Sequence, residues 1–96
     1  MSKAHILFIK VALHIPYAHS LKQKRQPVAS LKQRLQNRFN ASVSEIDALD
    51  DWQKAVLGIV MIAKDRVYLE QQAAKIEQII IEEIDMELIE FSREFI

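Results

Sequence analysis

Residues 3–14, which read KAHILFIKVALH, are apolar on both alternating faces. A strand that buries one face alternates apolar with polar residues, whereas a strand covered on both faces is apolar throughout. This stretch therefore predicts a central strand. Residues 52–64, WQKAVLGIVMIAK, have the same character and predict a second central strand. Gly58 interrupts it, which indicates a bulge or a close approach of another backbone.

The segment between these strands has the spacing of a helix. Residues 19–40 read HSLKQKRQPVASLKQRLQNRFN, with Ser20 as an N-cap and Gln23 completing the capping-box pattern. Apolar residues recur seven, three, four and four positions apart, so they share one helix face that points to a core. That face consists of Leu21, Val28, Leu31, Leu35 and Phe39.

Two residues disturb this helix. Pro27 lacks the backbone N–H and clashes with the preceding turn, at a cost of roughly 3 kcal/mol or a kink. Lys24 would fall on the apolar face if the helical phase were continuous. We therefore predict a short first turn over residues 20–26, a bend, and a regular helix from Pro27 to about Arg38.

The remaining chain supplies two more strands and one more helix. Residues 43–48 alternate and are partly polar, as suits an edge strand. Asp65 caps a second helix, and residues 86–95 form a half-exposed strand. The core stripe predicted for the second helix is Leu69, Ala73, Ile76, Ile80 and Ile84.

The resulting order, β-α-β-β-α-β, predicts an α+β fold of the ferredoxin-like, split βαβ type. Right-handed crossovers place both helices on one face of a four-stranded antiparallel sheet. With 96 residues, we expect one domain over residues 1–96 that buries a hydrophobic core without the help of disulfides or metal ions.

Composition excludes several classes of protein. Half of the residues are apolar and about a quarter charged, which is typical of a globular chain. There is no cysteine, which excludes disulfides and thiolate chemistry and agrees with a reducing cytoplasm. The apolar runs are too short to span a bilayer and the N-terminus lacks a signal-peptide layout, so we expect a cytoplasmic protein without a membrane partner.

Charge is distributed unevenly along the chain. Residues 1–44 hold eight Lys or Arg and no acid, whereas residues 65–96 hold nine Asp or Glu and three Lys or Arg. Such blocks are typical of an interaction surface, although they can also pair within one fold or across a homodimer.

The basic segment, residues 19–40, is the best candidate for a functional binding surface. Lysine and arginine on a helix contact phosphates without reading base sequence. We predict RNA-binding residues at Lys22, Lys24, Arg25, Lys32, Arg34 and Arg38.

Both central strands are apolar on both faces, yet two helices cover only one face of the sheet. The other face should not be left in water, so we predict a homodimer held through sheet surface. If Leu7, Ile9, Leu57 and Ile59 face the helices, the dimer interface is formed by Phe8, Val56, Val60 and Ile62. Period two cannot decide between the faces, so the register could be inverted by one residue.

No group of residues in the sequence has the pattern of a known catalytic site. Leu7-Phe8-Ile9 is similar to a short RNA-recognition motif, but AVLGIVMI lacks the aromatics that the longer motif needs. His14 and His19, and the acids before Trp52, lack the spacing of a metal site or a catalytic triad. We expect Trp52 to be a core anchor. No catalytic residue, cofactor, metal or DNA partner is predicted.

Two stretches carry a resemblance to a known family. Residues 14–47 contain HSLKQKR and RFNASVSE, and residues 52–60 read WQKAVLGIV. These segments resemble the YlxP-like family of small bacterial proteins of uncharacterised function, over roughly residues 4–64. The resemblance implies a ferredoxin-like fold and a basic run at Lys22, Lys24 and Arg25. Pro27 departs from the branched apolar residue that the family pattern has there.

The resemblance also implies a connection with translation, because genes for family members often lie beside those for translation initiation and ribosome-maturation factors. The leading hypothesis is therefore a non-catalytic RNA- or ribosome-associated protein, with ribosomal RNA or a ribosomal subunit as the partner. The alternatives are a dimeric α+β-barrel enzyme or carrier, with His5 and Lys10 pointing into a pocket between sheets, and a homo-oligomeric protein-interaction module.

Overall fold

The computed structural model describes residues 3–96. It contains four strands and two helices in the predicted order: β1 (His5–His14), α1 (Leu21–Arg38), β2 (Ala41–Asp47), β3 (Lys54–Ala63), α2 (Arg66–Ile81) and β4 (Glu87–Phe95). The strands form one antiparallel sheet in the order β2-β3-β1-β4. The predicted ferredoxin-like fold is therefore confirmed.

The two central strands are β1 and β3, as their composition predicts. Leu7 pairs with Met61 and Ile9 with Ile59 across the ladder, and residues directly opposite each other share a face. These side chains are buried together with the apolar stripes of both helices. The core therefore lies between the helices and one face of the sheet.

Helix α1 differs from the sequence prediction. It runs without a break from Leu21 to Arg38 with Pro27 inside it, so the predicted bend after residue 26 is wrong. Its start is as predicted, since Ser20 Oγ accepts from the backbone N–H of Gln23 at 3.1 Å. The Gln23 side chain reaches back to accept from the N–H of His19 at 2.6 Å. Core burial along the whole α1 stripe outweighs the cost of one proline.

Helix α2 and strand β4 also depart from expectation in detail. Helix α2 ends at Ile81, so Ile84 lies beyond it and is 91% exposed instead of belonging to the core stripe. In β4 the pairing with β1 shifts between Ala12 and Leu13, as at a β-bulge. The shift lets Leu88 pack against the core while Ile89 is left exposed.

Gly58 marks a close approach of side chains and not the bulge or the close approach of another backbone that its position predicts. A Cβ built there would lie 3.1 Å from Ile46 Cγ2 and 3.3 Å from Phe8 Cε1. The pairing between β1 and β3 continues through Gly58 without a register shift. The glycine therefore lets two apolar side chains lie over the middle of β3.

Within residues 3–96, the helices are too short or too polar to cross a bilayer.

Candidate nucleic-acid interface

Lys24 is buried, which corrects its assignment as a phosphate contact. Its side chain is 2% exposed and points into the fold from the first turns of α1. The ammonium donates to the carbonyls of Ala48 at 2.9 Å, Lys54 at 3.0 Å and Leu49 at 3.4 Å. A buried charge must be paired or hydrogen-bonded, and here three carbonyls take its three protons.

Glu45 supplies the charge that balances Lys24. Its Oε2 lies 2.8 Å from Lys24 Nζ, within ion-pair distance. The same oxygen is buried and has no partner at hydrogen-bond geometry. The carboxylate therefore balances the charge of the buried ammonium as an ion pair. Lys24 thus fastens α1 to β2 and to the β2–β3 loop.

Three of the predicted basic residues lie on one edge of α1. Lys22, Arg25 and Lys32 follow the helix over roughly 15 Å at a rise of about 1.5 Å per residue. Gln36 continues the same edge and donates to the carbonyl of Val43 at 3.2 Å, which places this edge beside β2. We call Lys22, Arg25 and Lys32 the basic edge. Within residues 3–96, none of the three forms an ion pair.

The other two predicted residues lie on the opposite flank, beside α2. Arg34 forms an ion pair with Glu83, just after α2, and its Nε donates to the carbonyl of Ser30 at 3.4 Å. Arg34 is therefore committed to the fold, as expected if the basic and acidic parts of one chain pair with each other. Arg38 is exposed near the end of α1 and has no ion-pair partner in the described part of the chain.

The face of the sheet opposite the helices carries the side chains predicted for a dimer interface. Phe8 pairs with Val60 in the ladder, and Val60 is 39% exposed. Ile62, which is 56% exposed, and the buried Val56 lie on the same face of β3. No helix covers this face, which we call the open face.

Lys10 lies at the centre of the open face, between Gly58 on β3 and Ser92 on β4. His5 lies on the other face of β1, with its ring edge-on to Phe95 at a centroid distance of 6.5 Å. The two are five positions apart and so point to opposite faces of a strand. The expectation that both enter one pocket between sheets is wrong.

The acids before Trp52 have local structural roles. Asp47 Oδ1 accepts from the N–H of Ala48 at 2.7 Å, where Ala48 has a φ of 58°. Asp51 Oδ1 accepts from the N–H of Gln53 at 2.9 Å. Within residues 3–96, no three His, Asp or Glu side chains come together as metal ligands.

Two exposed aromatic residues were not predicted as site residues. Tyr17 is 73% exposed, and Trp52 is 53% exposed, so Trp52 is not the core anchor expected from its type. Both lie in loops, where apolar spacing gives no information. The one available signal is the run of Asp50 and Asp51 before Trp52, which indicates a solvated loop.

The loops that carry these aromatics are tied together. Gln53 donates through Nε2 to the carbonyls of Pro16 at 3.2 Å and Ala18 at 3.1 Å. Its own carbonyl accepts from the N–H of Ile15 at 2.8 Å. The segments that carry the resemblance therefore meet at one end of the molecule, where Lys24 joins Glu45 and Gln53 holds the β1–α1 loop.

Comparison with known proteins supports the resemblance. The chain is 39% identical over 59 residues to the "Uncharacterized protein YlxP" of Bacillus subtilis (strain 168). The aligned part covers 62% of this chain and 64% of that relative, so the match spans slightly less than two thirds of the relative's length. The model of a family described as "Protein of unknown function (DUF503)" matches residues 6–93. Because that match covers most of the chain, the chain belongs to this family.

Proposed function

We propose that this chain is a cytoplasmic, non-catalytic RNA-binding protein that associates with ribosomal RNA through the basic edge of α1. The observation that carries the proposal is the basic edge itself. Lys22 and Arg25 are exposed and Lys32 is partly buried on one edge of the helix, and no ion pair within residues 3–96 neutralises them. Arg38 is a separate exposed positive charge on the opposite flank of the helix.

The arrangement suits phosphates better than base edges. Lysine and arginine side chains on an exposed helix supply point charges and forked donors to a sugar–phosphate backbone, which carries no sequence information. Acids are absent from α1, and those of the C-terminal third lie on or beside α2 and β4. An RNA strand on α1 therefore meets no acidic side chain of the helix itself.

Salt dependence tests the proposal. We expect the logarithm of the binding constant for a labelled single-stranded RNA to fall with the logarithm of salt concentration at a slope of about −2, from three contacts at about −0.7 each. Fluorescence anisotropy at several salt concentrations measures this slope. A flat response would contradict the proposal.

Charge-reversal variants test whether the basic edge is the RNA-binding surface. Lys22→Glu with Arg25→Glu should weaken binding at least about tenfold and make the slope shallower, because two phosphate contacts become repulsive. The matched control is Lys64→Glu with Lys75→Glu, two exposed lysines outside α1. It changes net charge by the same amount and should leave most of the affinity intact. Equal losses in both variants would assign the binding to net charge alone.

We further propose that the open face joins two copies of the chain. Four strands about 4.8 Å apart, of 10, 7, 10 and 9 residues, give a face of roughly 600 Å². A standard interface buries roughly 800 Å² on each partner. Each 100 Å² of apolar surface removed from water contributes about 2.5 kcal/mol before association costs. Sedimentation velocity at tens of micromolar tests this, and a compact monomer would contradict it.

A further inference from the structure

We propose that Tyr17 and Trp52 form a stacking platform for unpaired bases of a single-stranded RNA. This inference rests on the proposed function and names the class of RNA that the site takes. It concerns the end of the molecule where the β1–α1 loop and the β2–β3 loop meet.

Both rings are largely open to water. Tyr17 is 73% exposed and Trp52 is 53% exposed, whereas the core is complete without them. Large aromatic side chains gain much by burial, yet both rings stay exposed on two loops that Gln53 ties together through the carbonyls of Pro16 and Ala18. Every base has a π-face that can stack on such a ring, whatever its sequence.

The loops that present the rings are held in place from several sides. Tyr17 lies between Pro16 and Ala18, whose carbonyls both accept from Gln53 Nε2. Trp52 directly precedes Gln53. On the other side of the β2–β3 loop, the Lys24 ammonium binds the carbonyls of Ala48 and Lys54. A platform fixed in this way loses little conformational entropy when a base stacks on it.

The charges around the platform fit a strand that continues onto the basic edge. Lys22 and Arg25 lie in the first two turns of α1, directly after the loop that carries Tyr17. Asp50 and Asp51, next to Trp52, repel phosphates, so a stacked base and not a phosphate suits this ring. Lys22 and Arg25 supply the positive charge for the sugar–phosphate backbone.

A cleft beside Tyr17 offers polar groups to the edge of a stacked base. Its volume is about 440 Å³, within the range of small-ligand sites. Ile15, Ala18 and Pro27 supply apolar surface. The polar groups that line it belong to Gln23, Gln26, Ser30 and Asp85. Amide and carboxylate groups can pair with the donors and acceptors of an unpaired base, which a duplex keeps inside.

Intrinsic fluorescence gives a direct readout, because Trp52 is the single tryptophan of the chain. The probe is a ten-nucleotide oligoadenylate, compared with the same strand in a duplex. Stacking on the indole should quench the fluorescence in a saturable way with the single strand, and the duplex should quench it far less.

Substitutions test each ring separately. Tyr17→Ala and Trp52→Ala should each weaken binding of the labelled single strand about 5- to 100-fold, the loss expected for one stacked base. Trp52→Phe should restore most of the affinity. The matched control is Tyr68→Ala, an exposed aromatic on α2 that should leave binding unchanged. Thermal unfolding of each variant checks that the fold is intact, as expected for exposed side chains.

The outcomes of these experiments distinguish a failure of the platform from a failure of the proposed function. If the wild-type chain binds RNA with the expected salt slope but the fluorescence does not respond and both alanine variants bind normally, the platform is wrong and the basic edge stands alone. If no RNA binds at low salt, both are wrong. In that case the exposed rings are better explained as contacts for a partner protein.

Discussion

At the scale of single residues, Lys24 shows how a charge can act as a structural tie. Its ammonium has almost no contact with water and is satisfied by three carbonyls and by the Glu45 carboxylate. The carbonyls of Ala48 and Lys54 flank the β2–β3 loop. A positive charge at this point therefore holds α1 against the β2–β3 loop.

Removing this charge should destabilise the fold. Lys24→Met keeps the length of the side chain but leaves Glu45 without its counter-ion and the carbonyls without a donor. We expect the free energy of unfolding to fall by about 3 kcal/mol or more. Lys22→Met, on the exposed edge of the same helix, should change it by less than about 0.5 kcal/mol. Urea denaturation measures both, and similar values for the two variants would contradict the assignment.

The sequence contained a signal for this burial. Continuous helical spacing from Leu21 to Phe39 places Lys24 on the apolar face, and the structure shows that the spacing is continuous. What the sequence could not supply is the partner. Glu45 and the loop carbonyls are distant along the chain, and only the packing of α1 on the β2–β3 hairpin brings them to one point.

At the scale of elements, the apolar periodicity of the strands predicts which strands are central but not which face of the sheet the helices cover. Two strands apolar on both faces are sufficient to predict β1 and β3 as central. The covered face could not be assigned, because both faces are apolar and a slip of one residue exchanges them. The structure resolves this, since Leu7 and Ile9 pack in the core and Val60 and Ile62 stay exposed. The β4 bulge likewise leaves no clear mark in the sequence.

The open face makes a specific prediction about association. Val60→Glu places a charge in the middle of the proposed dimer interface and should produce a folded chain that sediments as a monomer. Val67→Glu makes the same chemical change at an exposed position on α2 and should leave the dimer intact. Sedimentation velocity distinguishes the two. Dimers of the same strength in both variants would place the interface elsewhere.

At the scale of the whole molecule, charge and loops are organised on different surfaces. The basic edge follows α1, the acids of the C-terminal third gather on and beside α2 and β4, and the open face carries exposed apolar side chains around Lys10. The uneven distribution of charge along the chain was enough to predict that α1 is basic and that the C-terminal third is acidic. The end that presents Tyr17 and Trp52 could not be predicted, because it is assembled from loops that only the fold brings together.

Co-sedimentation with ribosomal subunits tests the central claim, RNA association through α1, most directly. Wild-type chain added to a bacterial lysate at low salt should travel with a ribosomal subunit on a sucrose gradient and be released as salt rises from about 50 to 200 mM. The Lys22→Glu, Arg25→Glu variant should stay at the top of the gradient, while Lys64→Glu, Lys75→Glu should follow the wild type. A wild-type chain that stays at the top at every salt concentration, or an α1 variant that sediments like the wild type, would contradict the claim.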